Sequence, residues 1–198
     1  MAIDEGINRG TRAVFGFRSL CVGILAIAAA MLVGPLLAPP EFDWVLHSTS
    51  EQAGQGMTGA WLMRLGFVAY GISVVVAALT GGRSRPWVNT ALIVFGLGLV
   101  ATAMWSNASI RPGFASDMQE DWIHSLASGL VGTAFAAACA ARIFAPGGSL
   151  GHMKAWIGLV VAVAIPLAMT QFPEARGLLQ RVMFGYSFLF LLDEFRPR

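Results

Sequence analysis

The sequence has little charge, since only 12% of its 198 residues are Asp, Glu, Lys or Arg. A soluble domain usually has about twice this share, roughly 25%. A disordered chain needs low hydrophobicity and many charges, so that class is excluded. With a single Lys and a formal net charge of +2, the chain also lacks the clustered basic surface of a nucleic-acid-binding protein. Its two Cys are too few for a disulfide framework.

Apolar residues dominate instead, with 56% hydrophobic residues and a mean hydropathy of +0.67. A helix that crosses a bilayer needs about 20 apolar residues, with a range of about 17–25. Six apolar stretches are separated by short polar segments: 19–37, 60–79, 87–105, 122–141, 155–170 and 177–192. We therefore predict an all-α polytopic membrane protein, with residues 1–198 forming one domain, a bundle of six transmembrane helices. The last two stretches are short, which leaves open a re-entrant pair in place of two full spans.

The basic residues predict the orientation of this bundle. If the spans alternate, one side of the membrane collects nine basic residues: Arg9, Arg12, Arg18, Arg83, Arg85, Arg142, Lys154, Arg196 and Arg198. The loops on the other side hold only Arg111 and Arg176 as bases, together with seven acids. Because basic loops stay on the cytoplasmic side, we expect both termini in the cytoplasm and the bundle in a bacterial inner membrane. The lipid bilayer is thus the first expected partner.

Small residues are concentrated in the fourth span. They form the motif Gly129-x-x-Gly132 and a run of small residues over 136–141. Helices in lipid associate by close backbone packing, which small residues permit. We expect this stretch to pack tightly against neighbouring helices.

Ionisable residues converge near the non-cytoplasmic face. Arg64, His124 and Arg181 each follow shortly after the start of a span that enters from that face, at depths of about 3–6 Å for a rise of 1.5 Å per residue. The loops above carry further polar residues. The full set of candidate site residues is Arg64, Arg181, His47, Ser50, Glu51, Asp117 and His124.

Three interpretations of this cluster remain open. In the first, Arg64 and Arg181 are neutralised by Glu51, Asp117 or neighbours and only tie the loops to the helices. In the second, which we favour as a function, the two guanidinium groups bind an anionic or lipid head group in an outward-facing pocket, because guanidinium groups are bidentate donors to anions. The third is an enzyme, a metal-dependent hydrolase acting at the membrane surface.

The metal interpretation depends on His47, Glu51, Asp117 and His124, because sets of His and carboxylate ligands hold catalytic zinc. If 47–51 were helical, His47 and Glu51 would share a face. Neither cluster contains a defined zinc motif. We therefore expect no cofactor, with a divalent metal as the alternative, and we favour a non-enzymatic protein. The oligomeric state is left open by the sequence.

Short motifs resemble those of the multi-pass bacterial and archaeal membrane family called domain of unknown function 998. They are His47-Ser48-Thr49-Ser50-Glu51, Arg64-Leu65-Gly66-Phe67, Asp117 with Ile123-His124-Ser125, and Gly177-Leu178-Leu179-Gln180-Arg181. The resemblance runs from about residue 17 to residue 192 and implies six membrane helices, with no established activity. It also implies that six of the candidate residues, all but Arg64, are signature positions. The sequence departs from the family at Gln180, where an acid is expected, and at an apparent insertion, Gly113-Phe114-Ala115-Ser116.

Overall fold

The structure is a computed structural model that describes residues 2–81, 85–146 and 148–197, with side chains from residue 10 onward. Over these residues the chain is all-α, as predicted, and contains no strand. The helices are α1 (Ala2–Val33), α2 (Thr49–Gln52), α3 (Ala60–Thr80), α4 (Pro86–Met104), α5 (Met118–Phe144), α6 (Ser149–Gln171) and α7 (Arg176–Phe195). Short 3-10 helices cover Gly34–Leu37 and Pro173–Ala175.

The six long helices coincide with the six predicted spans. Five of them, α1 and α3 to α6, are long and apolar enough to cross a membrane. The sixth, α7, differs because every 18-residue stretch of it contains three charged residues. With 20 residues it is nevertheless about 30 Å long at 1.5 Å per residue, which equals the thickness of a bilayer core. The lengths of α6 and α7 therefore favour two crossing helices over a re-entrant pair.

The long helices form a bundle in which each packs against the next, and α7 returns to contact α1. Aromatic side chains fill its centre. The ring of Tyr70 on α3 meets the ring of Phe95 on α4 edge to face, with centroids 5.9 Å apart. Phe135 on α5 and Phe190 on α7 form a second edge-to-face pair, with centroids 5.5 Å apart. These contacts place α7 against the core, although four of its 20 residues are charged.

Glycines allow close helix crossings, but not in the span where they were expected. A Cβ on Gly71 of α3 would lie 2.4 Å from the carbonyl oxygen of Gly96 on α4, so the two backbones touch there. Similarly, a Cβ on Gly66 of α3 would lie 2.9 Å from the Cβ of Ala30 on α1. In contrast, a Cβ on Gly129 or Gly132 of α5 would meet no described atom within 4 Å. The prediction that this motif packs tightly is therefore wrong for both glycines.

The two ends of the bundle are formed by different segments and hold different polar contacts. The end formed by residues 38–59, 105–117 and 172–175 is called the loop face below. The opposite end, where α1 begins and α7 ends, is called the terminal face. At the terminal face, buried Glu194 of α7 accepts hydrogen bonds from Arg85 (2.6 Å) and Arg142 (3.1 Å). The sequence identified these arginines as loop bases and gave Glu194 no role. This buried ion cluster ties α7 to the ends of α4 and α5.

Candidate functional site

The one-turn helix α2 is the centre of the loop face. It begins at Thr49 because Ser48 forms a capping box with Glu51: the Glu51 amide donates to Ser48 Oγ at 3.1 Å, and the Ser48 amide donates to Glu51 Oε2 at 2.7 Å. Such a box satisfies two amide groups that a helix start leaves free. The local sequence therefore determines where α2 begins.

Three arginines bind four consecutive residues at the end of α2. Arg176 of α7 forms an ion pair with the Glu51 carboxylate. Arg181, also on α7, donates to the side-chain oxygen of Gln52 at 3.1 Å. Half-buried Arg64 of α3 donates to the carbonyl oxygens of residues 53 and 54, at 2.9 and 3.3 Å. The three guanidinium groups attach α2 to two different membrane helices.

Arg181 is buried, with 7% of its surface exposed, and its bonds are to neutral oxygens. Its Nη1 donates to the carbonyl oxygens of Trp44, His47 and Gly177 at 2.9, 3.0 and 2.9 Å, and its guanidinium carbon lies 4.6 Å from the centre of the Trp44 ring. Neither Arg181 nor Arg64 forms an ion pair with any described carboxylate. The ion pairs with Glu51, Asp117 or neighbouring acids that the first interpretation required are therefore not found among the described residues, although both arginines do tie the first loop to the helices. Their hydrogen-bond partners are mainly backbone carbonyl oxygens, because the loop of residues 38–59 folds over both arginines.

His47 precedes α2 and does not share a helical face with Glu51, since the helix begins only after Ser48. Its Nδ1 accepts a hydrogen bond from the Asp43 amide at 2.8 Å. Asp43 in turn closes a tight turn, accepting from the amides of Val45 and Leu46 at 2.7 and 2.9 Å. These two amide donors, Leu46 first, lower the pKa of the Asp43 carboxyl. Both side chains thus shape the loop before α2.

The acids at the start of α5 fix the second loop of this face. Asp117 caps α5 by accepting from the amides of residues 119 and 120, at 2.8 and 3.1 Å. Glu120 accepts from the Ser106 amide and Asp121 from the Ala108 amide, both at 2.7 Å. Gln55 joins this loop to the first one through both backbone groups of Asp117. The carboxylates therefore hold backbone amides and do not form a ligand set.

His124 is buried, with 2% of its surface exposed, and it caps the end of α4. Its Nδ1 lies 2.8 Å from the carbonyl oxygen of Trp105 and 3.2 Å from that of Thr102. The carbonyls at a helix end have no partner within the helix, so a ring N–H at this position satisfies them. Nε2 of His124 is buried without a hydrogen-bond partner among the described residues.

The metal interpretation requires at least three ligands close together. Over residues 2–81, 85–146 and 148–197, the structure brings no three His, Cys, Asp or Glu side chains near enough to hold a metal ion. The physical reason is that the predicted ligands have other tasks: Asp117 caps α5, Glu51 pairs with Arg176, and His124 caps α4.

A cleft of about 830 Å³ lies between α5, α6 and α7 and extends to the loop face. We call it the α5–α6 cleft. Beyond it, toward the terminal face, Gly158 of α6 packs so closely on Cys139 of α5 that a Cβ there would lie 2.7 Å from Sγ. Between this contact and the loop face, the lining of α5 runs from Ser125 to Ala136 and that of α6 from Ala162 to Thr170. Gly129 and Gly132 line the cleft, which explains why their Cβ positions are open.

The two ends of the cleft differ in polarity. Its inner end is apolar, with Phe67, Leu99 and Phe184 among its lining residues. Its outer end, at the loop face, contains Ser50, Arg176 and Gln180, and Arg176 is the one charged residue among the described residues that line the cleft. An apolar body with a polar, positively charged mouth is thus built mainly from α5, α6 and α7, with α3 and α4 at the inner end and α2 at the mouth.

Of the seven candidate residues, only Ser50 lines this cleft. The other six take part in the loop-face contacts described above: Arg64, Arg181, His47, Glu51, Asp117 and His124. The sequence missed Arg176 because it was assigned to a loop, and it missed Gln52 and Gln180 because single glutamines give no pattern. One signal was present: Gln180 was already recognised as a departure from the family, and its Oε1 accepts from the amide and the hydroxyl of Thr49, both at 2.7 Å.

Comparison with known proteins identifies the family but not an activity. No curated protein and no solved structure matched the chain. A family model described as a protein of unknown function, DUF998, matches residues 21–192. This match covers all six long helices in whole or in part, together with all three segments of the loop face. The chain is therefore an integral membrane protein that belongs to the DUF998 family.

Proposed function

We propose that this protein binds the apolar chain of a membrane lipid in the α5–α6 cleft. The observation that carries the proposal is the direction in which the cleft opens. Apart from Pro173 at the loop face, its exposed lining residues form one stripe on each of two membrane helices: Ser125, Gly129 and Thr133 on α5, and Val163, Pro166 and Thr170 on α6. An opening between two transmembrane helices leads into the bilayer and not into water.

The size of the cleft supports a lipid chain as the ligand. Its volume lies within the range of about 300–1,000 Å³ that is usual for ligand sites. The lining of α5 from Ser125 to Ala136 corresponds to a depth of about 16 Å at 1.5 Å per residue. A bilayer core is about 30 Å thick, so this depth matches the chain region of one leaflet.

The hydroxyl groups of the cleft favour binding over hydrolysis. Ser128, Thr133 and Thr170 each donate their hydroxyl hydrogen to a carbonyl of their own helix, at 3.0, 2.8 and 2.7 Å. A serine or threonine nucleophile needs a base within hydrogen-bond reach. No His, Asp or Glu is found among the described residues that line the cleft.

We further propose that the loop face points away from the cytoplasm, in a bacterial inner membrane. The basis is the excess of basic residues at the terminal face, which the positive-inside rule assigns to the cytoplasm. In this orientation the cleft opens into the outer leaflet.

Filling the cleft tests the proposal. Gly132→Leu adds a side chain where a Cβ meets no described atom within 4 Å, and Gly185→Leu does the same on α7 away from the cleft. Both changes replace glycine by a better helix former, worth about 1 kcal/mol, so both proteins should fold. We expect a photoactivatable phospholipid in nanodiscs to cross-link to α5 and α6 in the wild type and in Gly185→Leu, but not in Gly132→Leu. Equal labelling of all three proteins would refute lipid binding in this cleft.

A further inference from the structure

We infer that the lipid bound in the α5–α6 cleft has a head group with a net negative phosphate charge, recognised by Arg176 and Gln180. This inference rests on the proposed function, because the head group is placed by a chain within the cleft. It names the class of lipid, which the shape of the cleft alone leaves undefined.

The first step is the balance of charge at the mouth of the cleft. Arg176 lines the mouth, and the described lining contains no acid. Near it, three guanidinium groups surround the end of α2, whereas Glu51 is the one carboxylate that binds any of them in the described part of the chain. The other acids near the start of α5, Glu120 and Asp121, hold amides of the second loop. Glu174, just before α7, is exposed and does not line the cleft. The described lining of the mouth therefore holds one positively charged side chain and no negatively charged one.

The second step is the number of donors that remain available. A guanidinium group has five N–H donors, and Arg176 uses one nitrogen, Nη2, for Glu51. Its Nε is buried without a partner among the described residues. Because 38% of the Arg176 side chain is exposed, a ligand in the cleft can reach it. Arginine binds phosphate oxygens with paired N–H donors, which gives both strength and orientation.

The third step is the orientation of Gln180. Its Oε1 accepts two hydrogen bonds from Thr49, which fixes the side-chain amide. The amide nitrogen then remains as a donor at the mouth of the cleft, where it has no partner among the described residues. A glutamate at this position would accept the same two bonds from Thr49 but would add a negative charge. Glutamine is thus the residue that combines the contact to α2 with binding of an anion.

The test compares two lipids with the same chains and with head groups of different net charge. Nanodiscs contain photoactivatable phosphatidylglycerol or photoactivatable phosphatidylcholine, whose phosphate charge is balanced by an ammonium group. We expect the wild type to be labelled preferentially by phosphatidylglycerol. Arg176→Gln should reduce this preference about tenfold or more, the effect of losing one charge-assisted hydrogen bond. Gln180→Glu should reduce it as well, while it preserves the contact to Thr49 and hence the melting temperature.

Controls separate this inference from the proposed function. Arg111→Gln removes an exposed loop-face arginine that does not line the cleft, and it should leave the preference unchanged. If both lipids label the wild type equally, and Gln180→Glu does not change this ratio, the head-group inference is refuted while the binding of a lipid chain stands. Glycerol phosphate is added as a soluble competitor. If glycerol phosphate prevents labelling at the same concentration as the lipid, the phosphate need not come from a lipid, and the inference is refuted. If it does not reduce labelling, the result supports a lipid as the source of the phosphate.

Discussion

Replacing Arg181 by methionine is the sharpest test of how the loop face is held together. The side chain lies in the first turns of α7, donates four hydrogen bonds to oxygens of residues 44, 47, 52 and 177, and covers the ring of Trp44. Methionine keeps much of the length and packing volume but donates no hydrogen bond. The substitution therefore removes the link between α7 and the first loop while α7 itself stays apolar and helical.

The magnitude follows from the acceptors that lose their donor. Two backbone carbonyls, of Trp44 and His47, and the side-chain oxygen of Gln52 would be left without Arg181. An unsatisfied buried acceptor costs about 1–3 kcal/mol. Methionine also removes the cost of burying a guanidinium group, which offsets part of this sum. Three unsatisfied acceptors would cost about 3–9 kcal/mol, and with this offset we expect the free energy of unfolding to fall by about 3–5 kcal/mol.

Thermal unfolding of the protein in detergent measures this loss. For a chain of this size, 1 kcal/mol corresponds to about 2–4 °C, so Arg181→Met should melt about 6–20 °C below the wild type. Tryptophan fluorescence is a suitable probe because Trp44 lies beneath the guanidinium group. Arg111→Met is the matched control, since Arg111 is exposed and donates one side-chain bond, to the carbonyl of residue 56. A melting temperature of Arg181→Met within about 2 °C of this control would refute the reasoning, because surface changes cost about 0.5 kcal/mol or less.

Two further substitutions, one of them with a matched control, test the rest of the bundle by the same thermal assay. Glu194→Gln leaves Arg85 and Arg142 without their shared carboxylate and should lower the free energy of unfolding by about 3–5 kcal/mol. Its control, Asp193→Asn, breaks a half-exposed ion pair and should cost about 1 kcal/mol or less. Equal losses of stability in the two variants would contradict a special role of the buried cluster. Gly96→Leu forces a Cβ to 2.5 Å from a backbone oxygen of α3 and should cost about 1–3 kcal/mol or more, and an unchanged melting temperature would disprove the close crossing.

The positions of the six long helices could be predicted because a helix that crosses a bilayer must be apolar over most of its length, and hydropathy measures this property directly. Their ends were less accurate. The first predicted span began at residue 19, yet α1 extends from Ala2, because helix formation continues beyond the apolar residues that hydropathy detects. At its other end α1 stops at Val33, and a 3-10 turn containing Pro35 completes the predicted span. Hydropathy thus predicted the apolar segments more accurately than it predicted the ends of the helices that contain them.

The candidate site was harder to predict because the same residue pattern serves opposite purposes. Gly129 and Gly132 have the spacing of a packing motif, but they line a cleft, and nothing in their own segment distinguishes the two cases. Arg64 and Arg181 were predicted to lie at a similar depth, but the partners that they bind in the first loop are 10 and 11 residues away in sequence for Arg64 and more than 120 for Arg181. Which oxygens a guanidinium group meets depends on how that loop folds. Sequence spacing within one helix cannot supply this information.

Structural support and ligand binding, which the sequence presented as alternatives for the polar cluster, are linked through α2. Arg64 and Arg181 hold the end of α2, the capping box holds its start, and the same turn carries Ser50, pairs with Arg176 through Glu51 and fixes Gln180 through Thr49. All three polar residues at the mouth of the cleft therefore belong to α2 or contact it directly. In the proposed function, Arg64 and Arg181 act as positioning residues: they bind no ligand themselves but hold the turn that orients the donors. A rigid α2 keeps the amide of Gln180 and the guanidinium of Arg176 directed at one head group, which is a requirement for selectivity between lipids that share the same chains.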